Sequence, residues 1–279
     1  MRTKKTTVKE VHAKPGRCRL AVPASICALP LLRGLEGQGG IELVKMAPSA
    51  TLASLVDGYV KAALLPSIDL QSGQDLIVLP GSCLASAGRT LSVRVFSRVK
   101  AEQVNTLWAD MDARTSVALA KVLWGVNFRK QLRIIPFEPG LQELPEDAEA
   151  ALFIGDKVVA RPPIGFDWQI DLGAMWFEAT GLPFVFSVWA TMEGGVCKRL
   201  NEQITEAIVS SREQMERIAR ENAGFHGWPS DLAIEHLTRN MQYEFKDEQK
   251  EGMEEFFDLC VDSRVIDQVL PVRYYIPGT

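Results

Sequence analysis

Between residues 19 and 65, short β-rich runs alternate with short helical ones, and this narrows the fold more than any other feature of the chain. Residues 19–22 read as a strand. Residues 29–35 read as a short helix with Pro30 in its first turn, where a missing N–H costs nothing. Residues 41–46 are a second strand. Pro48-Ser49 opens a second helix, in which Leu52, Leu55 and Val56 recur at helical spacing. Gly58 ends it, and residues 62–65 form a third strand stopped by Pro66-Ser67. This β-α-β-α-β order predicts parallel strands with helices on the sheet faces.

The remaining pattern predicts a second lobe. Residues 91–97 alternate cleanly and read as a long strand leaving the first lobe for another. A helix over 115–124 and strands over 132–137 and 150–154 follow. Thr180-Gly181-Leu182-Pro183 is a turn that delivers the chain into an apolar, aromatic run, a strand over 184–190 that returns to the first lobe. From Lys198 onward, Leu200, Ile204, Ala207, Ile208, Met215 and Ile218 form one apolar stripe, which predicts an amphipathic helix broken at 224–229. Ser230 is the expected N-cap of a helix over 231–243, and a third helix covers 247–260. The expected organisation is a disordered leader (1–17), a first lobe (18–95 and 187–279, the latter carrying a helical tail) and a second lobe (96–186).

Composition excludes several classes. A net charge of −4 over 279 residues leaves no polyelectrolyte footprint, so nucleic acid is not an expected partner. The apolar segments are interrupted well short of the ~20 residues of a membrane helix, so no membrane is expected. Arg2, Lys4, Lys5 and Lys9 precede no apolar stretch of a secretory signal. The five cysteines, Cys18, Cys27, Cys83, Cys197 and Cys260, form no CxxC pair, which suggests reduced thiols and a cytoplasmic location. No phosphate loop, GxGxxG or metal-spaced His/Cys/Asp cluster is present, so neither a cofactor nor a metal is expected.

In an open α/β sheet, ligands bind beyond the carboxyl ends of strands. That rule nominates residues 23–27, Ser49, Pro66-Ser67, Arg114-Thr115-Ser116 and Gly155-Asp156. Arg114-Thr115-Ser116 opens a helix, so free amides and the positive dipole end could hold a carboxylate; alternatively, a hydroxyl there simply caps the helix. Gly155 permits close backbone approach with the Asp156 carboxylate at a cleft edge, or the pair is a turn that caps the next helix. Asp171 is a cap or an inter-lobe anchor. Ser92 is a core hydroxyl or a site residue. A nucleophilic Cys27 would need a histidine, yet His12 lies in the leader and His226 and His236 in the helical tail; a small cysteine lining a pocket is the simpler reading.

Asp171-Leu172-Gly173, Trp176 and Thr180 to Ala190 (TGLPFVFSVWA) resemble the signature of the MqnA family, the chorismate dehydratases of the futalosine route to menaquinone. Ala63 to Asp69 (ALLPSID), Ala113 to Leu119 (ARTSVAL) and Leu152 to Asp156 (LFIGD) support the resemblance in the same order. It covers residues 18–262. It implies a two-lobed α/β fold like type II periplasmic binding proteins, with two strands crossing between lobes and a helical C-terminal tail. It also implies cofactor-free loss of water from chorismate, with the substrate's enolpyruvyl carboxylate as base. Ser92, four residues after Gly88, matches the family's active-site serine, although the family's Gly-Pro reads Gly88-Arg89 here. Cys27 stands where the family carries an active-site asparagine, and Ser25 where it carries an aromatic. A thiol is a far weaker hydrogen-bonding group than an amide.

The resemblance therefore implies catalytic roles for Cys27 and Ser92. Substrate contacts are expected from Ser49, Ser67, Arg114, Thr115, Ser116, Gly155 and Asp156. Two alternatives stand beside it: a cytosolic protein that only binds a small carboxylate, and an enzyme acting on a related cyclic acid. Monomer and homodimer are both open.

Overall fold

The computed structural model describes residues 17–137, 144–195 and 198–276. The expected leader, apart from Arg17, lies outside the described residues, as do His12 and Cys197. The first lobe begins with β1 (Cys18–Val22), α1 (Leu29–Arg33), β2 (Ile41–Lys45), α2 (Pro48–Val56), β3 (Ala62–Pro66) and β4 (Leu76–Ser86). The second comprises β5 (Val93–Ser97), β6 (Thr106–Asp110), α3 (Arg114–Phe128), β7 (Arg133–Phe137), β8 (Ala150–Ile154), α4 (Lys157–Ala160) and β9 (Trp168–Asp171). The chain returns through α5 (Leu172–Thr180) into β10 (Phe184–Met192). It finishes with α6 (Lys198–Ser211), α7 (Met215–His226), α8 (Ser230–Glu235), β11 (Met241–Gln242), α9 (Asp247–Asp262) and β12 (Arg273–Tyr274).

Each lobe has its own sheet. The first runs β11-β4-β10-β3-β1-β2, with β12 also on β4; the second runs β7-β6-β8-β5-β9. β1 pairs in parallel with β2 and β3, and β6 with β7 and β8. β10 is antiparallel to β3 and β4. Two connections cross between the sheets: residues 87–92, which join β4 to β5, and α5, which joins β9 to β10. The strand expected over 91–97 thus starts at Val93, because the preceding residues make the crossing.

The core fastens the second connection. Trp176 of α5, Phe184 of β10 and Phe256 of α9 meet edge to face at centroid distances of 4.9 to 6.1 Å. Such ring pairs add about 0.5–1.5 kcal/mol each beyond the area they bury. α5 stops at Thr180, whose hydroxyl donates to the Trp176 carbonyl and accepts from the Leu182 amide, which sets the turn into β10.

Three elements differ from the sequence pattern. The single amphipathic helix expected from Lys198 is two: α6 and α7 are separated by a 3₁₀ turn at Arg212–Gln214, so one stripe serves two axes. Ser230 is the first helical residue of α8 rather than its cap; Pro229 occupies the cap position. That helix gives way to a π-turn at His236–Asn240 and then to β11, because residues 241–242 pair with Ala85 and Ser86 of β4.

Candidate active site

A cavity of about 480 Å³ lies between the sheets. The carboxyl ends of parallel strands from both lobes open onto it: residues 23–25 and Cys27 after β1, residues 45–48 after β2, Pro66 of β3, Asp110 of β6 and residues 154–157 after β8. Thr90, Ser92 and Val93 of the first crossing connection complete the wall together with Phe186, Ser187 and Met241.

Five of the expected residues line this cavity without being engaged elsewhere as their main role: Cys27, Ser92, Thr115, Ser116 and Gly155. α3 starts at Arg114 after Ala113, and no side chain caps it. Thr115 and Ser116 therefore occupy the second and third helical positions, not the cap. Among the described residues, no acceptor takes the amides of Arg114, Thr115 or Ser116. A helix end of this kind, facing a cavity, is suited to an anion. The Thr115 hydroxyl weakly accepts from the Ile68 amide at 3.4 Å, and the Ser116 hydroxyl has no hydrogen-bond partner among the described residues.

Ser92 is buried, and its main chain is fixed at both ends. Its amide donates to the Thr90 carbonyl at 2.6 Å, and its carbonyl accepts the Gly155 amide at 2.8 Å. Gly155 reaches this partner at a φ of +79°, a conformation open to glycine. The Ser92 hydroxyl has no protein partner among the described residues. Cys27 Sγ lies 3.0 Å from Ser25 Oγ. Burial pushes its thiol up to about 12, which favours the protonated form over the nucleophilic thiolate.

Four expected site residues do other work. Ser67 is buried and donates to the Val185 carbonyl at 2.7 Å, joining β3 to β10. Ser49 donates to Asp112 at 2.5 Å, tying α2 of the first lobe to the loop before α3. Arg114 pairs with buried Asp69 at 2.9 Å, again across the lobes. Asp156 accepts from the Ile26 amide at 3.2 Å, from Trp228 Nε1 at 3.0 Å, and lies 2.6 Å from His226 Nδ1. Its carboxylate fastens the second lobe to the first and is spent on protein partners, although the residue still borders the cavity. Asp171 combines both roles expected of it: it caps α5 and grips the crossing connection.

Ser25, within the nominated residues 23–27, lines the cavity, whereas sequence reasoning missed Lys45, Asp110, Asp112 and Lys157 in its wall. Lys157 is engaged by buried Asp110. Lys45 is the last residue of β2, one short of the end expected for that strand, and Asp110 is the last of β6, a strand that the sequence pattern did not predict, so the strand-end rule was applied past the one and not at all to the other. Among the described residues, no group of three or more His, Cys, Asp or Glu side chains is placed to hold a metal ion. No described helix is long and apolar enough to cross a membrane.

Two buried groups near the lobe junction oppose each other in pH. Burial raises Asp69 from 3.8 to about 6, against the pull of Arg114. Burial lowers His236, stacked on Trp228, from 6.5 to about 4, helped by Arg94. Asp69 contributes stability that is present below its unfolded value and lost as pH rises through 6. His236 contributes stability that is present above 6.5 and lost as pH falls through 4. Over pH 4–6 the two slopes offset. Asp69→Asn removes one of them, so its stability relative to wild type is expected to rise by about 3 kcal/mol between pH 4 and 7. Urea midpoints at both pH values check this; a constant difference would show that Asp69 does not titrate in that window.

The family model described as menaquinone biosynthesis matches residues 18–262. A curated chorismate dehydratase of Thermus thermophilus is 27% identical over 261 residues, covering 85% of this chain and 93% of that protein. Solved structures share the fold at low identity. A protein of Archaeoglobus fulgidus superposes with a TM-score of 0.67 at 12% identity, covering 91% of this chain and all of that one. The periplasmic aliphatic sulphonate binding protein of Escherichia coli does so with a TM-score of 0.60 at 14% identity, covering 91% and 95%.

Proposed function

The chain belongs to this menaquinone-biosynthesis family, and from that membership we propose that it is a chorismate dehydratase, a hydro-lyase that converts chorismate to 3-[(1-carboxyvinyl)oxy]benzoate. The carrying observation is the start of α3, where Thr115 and Ser116 face a cavity that also contains the Ser92 hydroxyl and where, among the described residues, neither a side-chain cap nor a partner for that hydroxyl is found.

The reaction is an elimination. A proton leaves C3 of the ring, hydroxide leaves C4, the C–H electron pair enters the ring, and the ring becomes aromatic. Aromatisation supplies much of the driving force, so the protein has chiefly to hold one conformer and stabilise the departing hydroxide. The amides of Thr115 and Ser116, with their hydroxyls, receive a carboxylate. Ser92 donates to the departing hydroxyl. Among the described residues, each acidic group of the wall already has a protein partner: Asp110 has Lys157, Asp112 has Ser49, and Asp156 has the Ile26–His226–Trp228 set, while burial favours the protonated Cys27 thiol. This supports the substrate's own enolpyruvyl carboxylate as the base. Cys27 lines the position that an asparagine holds in the motif.

The test is chorismate consumption by the purified chain, with mass spectrometry for loss of one water. Turnover above the spontaneous rate is the expected result. No turnover, with chorismate still raising the melting temperature, would overturn the dehydratase in favour of a carboxylate-binding protein, the reading that the weak Cys27 thiol favours.

A further inference from the structure

We infer that Lys45 is the second anchor of the cavity: it makes this a dicarboxylate site, with one carboxylate held at the start of α3 and the other on the Lys45 ammonium. The inference rests on the chorismate dehydratase reading for the identity of the dianion, but its charge logic comes from the cavity itself.

The wall carries two ammonium groups, Lys45 and Lys157. Lys157 is neutralised by the buried carboxylate of Asp110. Arg114, at the first turn of α3, turns to Asp69. Among the described residues, Lys45 has no ion pair and no hydrogen bond to its side chain, so its charge is uncommitted. Its backbone, by contrast, is fixed. It ends β2 in register with Val22 of β1, and the next amide, of Met46, donates to the Val22 carbonyl at 3.0 Å. An exposed lysine on a fixed stem at a cavity mouth offers three donors at little ordering cost to the main chain.

The two anion positions belong to different lobes. Lys45 belongs to the first lobe and the α3 start to the second. A ligand with one carboxylate at each end would bridge the lobes, whereas a monoanion would satisfy only one of them. The wall also holds the carboxylates of Asp110, Asp112 and Asp156, so a dianion entering without a matching free cation would meet net negative charge. With Lys157 spent on Asp110, Lys45 offsets one of the two remaining negative charges, and it is the one charged residue that the first lobe contributes to the wall among the described residues.

The experiment compares wild type, Lys45→Met and Lys45→Arg, each as the full chain. Because Lys45 is exposed, neither change should alter the fold, and melting temperatures will check this. Lys45→Met is expected to raise KM for chorismate about tenfold or more with kcat little changed, and Lys45→Arg to restore most of it. Wild-type KM should climb with added salt more steeply than that of Lys45→Met. Calorimetry with the product dianion and with 3-ethoxybenzoate, a monoanion of similar outline, gives a readout independent of turnover: the preference for the dianion should collapse in Lys45→Met. Unchanged KM and unchanged dianion preference, in a wild type that does turn over chorismate, would overturn the role of Lys45 and leave the dehydratase standing. A Lys45-dependent dianion preference without any turnover would sustain the dicarboxylate site and overturn the dehydratase.

Discussion

Asp171→Ala should cost about 4 kcal/mol of unfolding free energy, because it strips acceptors from four backbone amides at once. The carboxylate accepts from Gly173 and Ala174 at 3.1 Å each, which caps α5. It also accepts from the Thr90 amide at 3.0 Å and the Leu91 amide at 2.8 Å, which fixes the other connection between the lobes. Leu91 sits at a φ of +59°, a strained value for leucine that persists only while its surroundings hold it. One side chain thus pins both crossovers. An ordinary cap removal costs ~1 kcal/mol, so a loss near that figure would show that only the α5 cap matters. Asp171→Asn keeps one acceptor oxygen and should fall between. Urea unfolding at neutral pH measures all three, and the m value tests whether the lobes still unfold together.

How much of this was legible in the sequence depends on what each residue answers to. The parallel strands of the first lobe were legible because their apolar runs are bounded by Pro, Gly and helical spacing, all local signals. β4 was not, although with 11 residues it is the longest described strand. Its Pro80-Gly81 pair reads as a break. In the fold, residues 79–82 bulge out of register with β10, and a Cβ at Gly81 would lie 2.5 Å from Thr205 of α6. The pair marks the close approach of a helix that lies far along the chain. The site divides in the same way. Thr115, Ser116, Ser92 and Cys27 follow from the strand-end rule or from motif resemblance. Ser49, Arg114 and Asp156 obey that rule equally well, yet their partners are Asp112, Asp69 and the Ile26–His226–Trp228 set, in the opposite lobe. Nothing local in the sequence distinguishes a polar group that faces a ligand from one that faces the other lobe.

Ser92 offers the sharpest separation between chemistry and scaffold. Its hydroxyl has no protein partner among the described residues, so Ser92→Ala leaves no donor or acceptor orphaned there and should change stability by no more than about 0.5 kcal/mol. If that hydroxyl donates to the departing group of chorismate, the same change removes a hydrogen bond that strengthens as charge develops, and kcat should fall about 10²- to 10³-fold. KM should move much less, since the carboxylates are held elsewhere. Ser92→Thr keeps the hydroxyl but adds a methyl to a buried side chain, so a partial loss of rate is expected there. Stopped-assay product yields and melting curves on the same preparations measure both quantities. A Ser92→Ala protein with full kcat would remove Ser92 from the reaction and shift the burden of stabilising the leaving hydroxide to Ser25 and Cys27, the hydroxyl–thiol pair 3.0 Å apart on the first-lobe wall of the cavity.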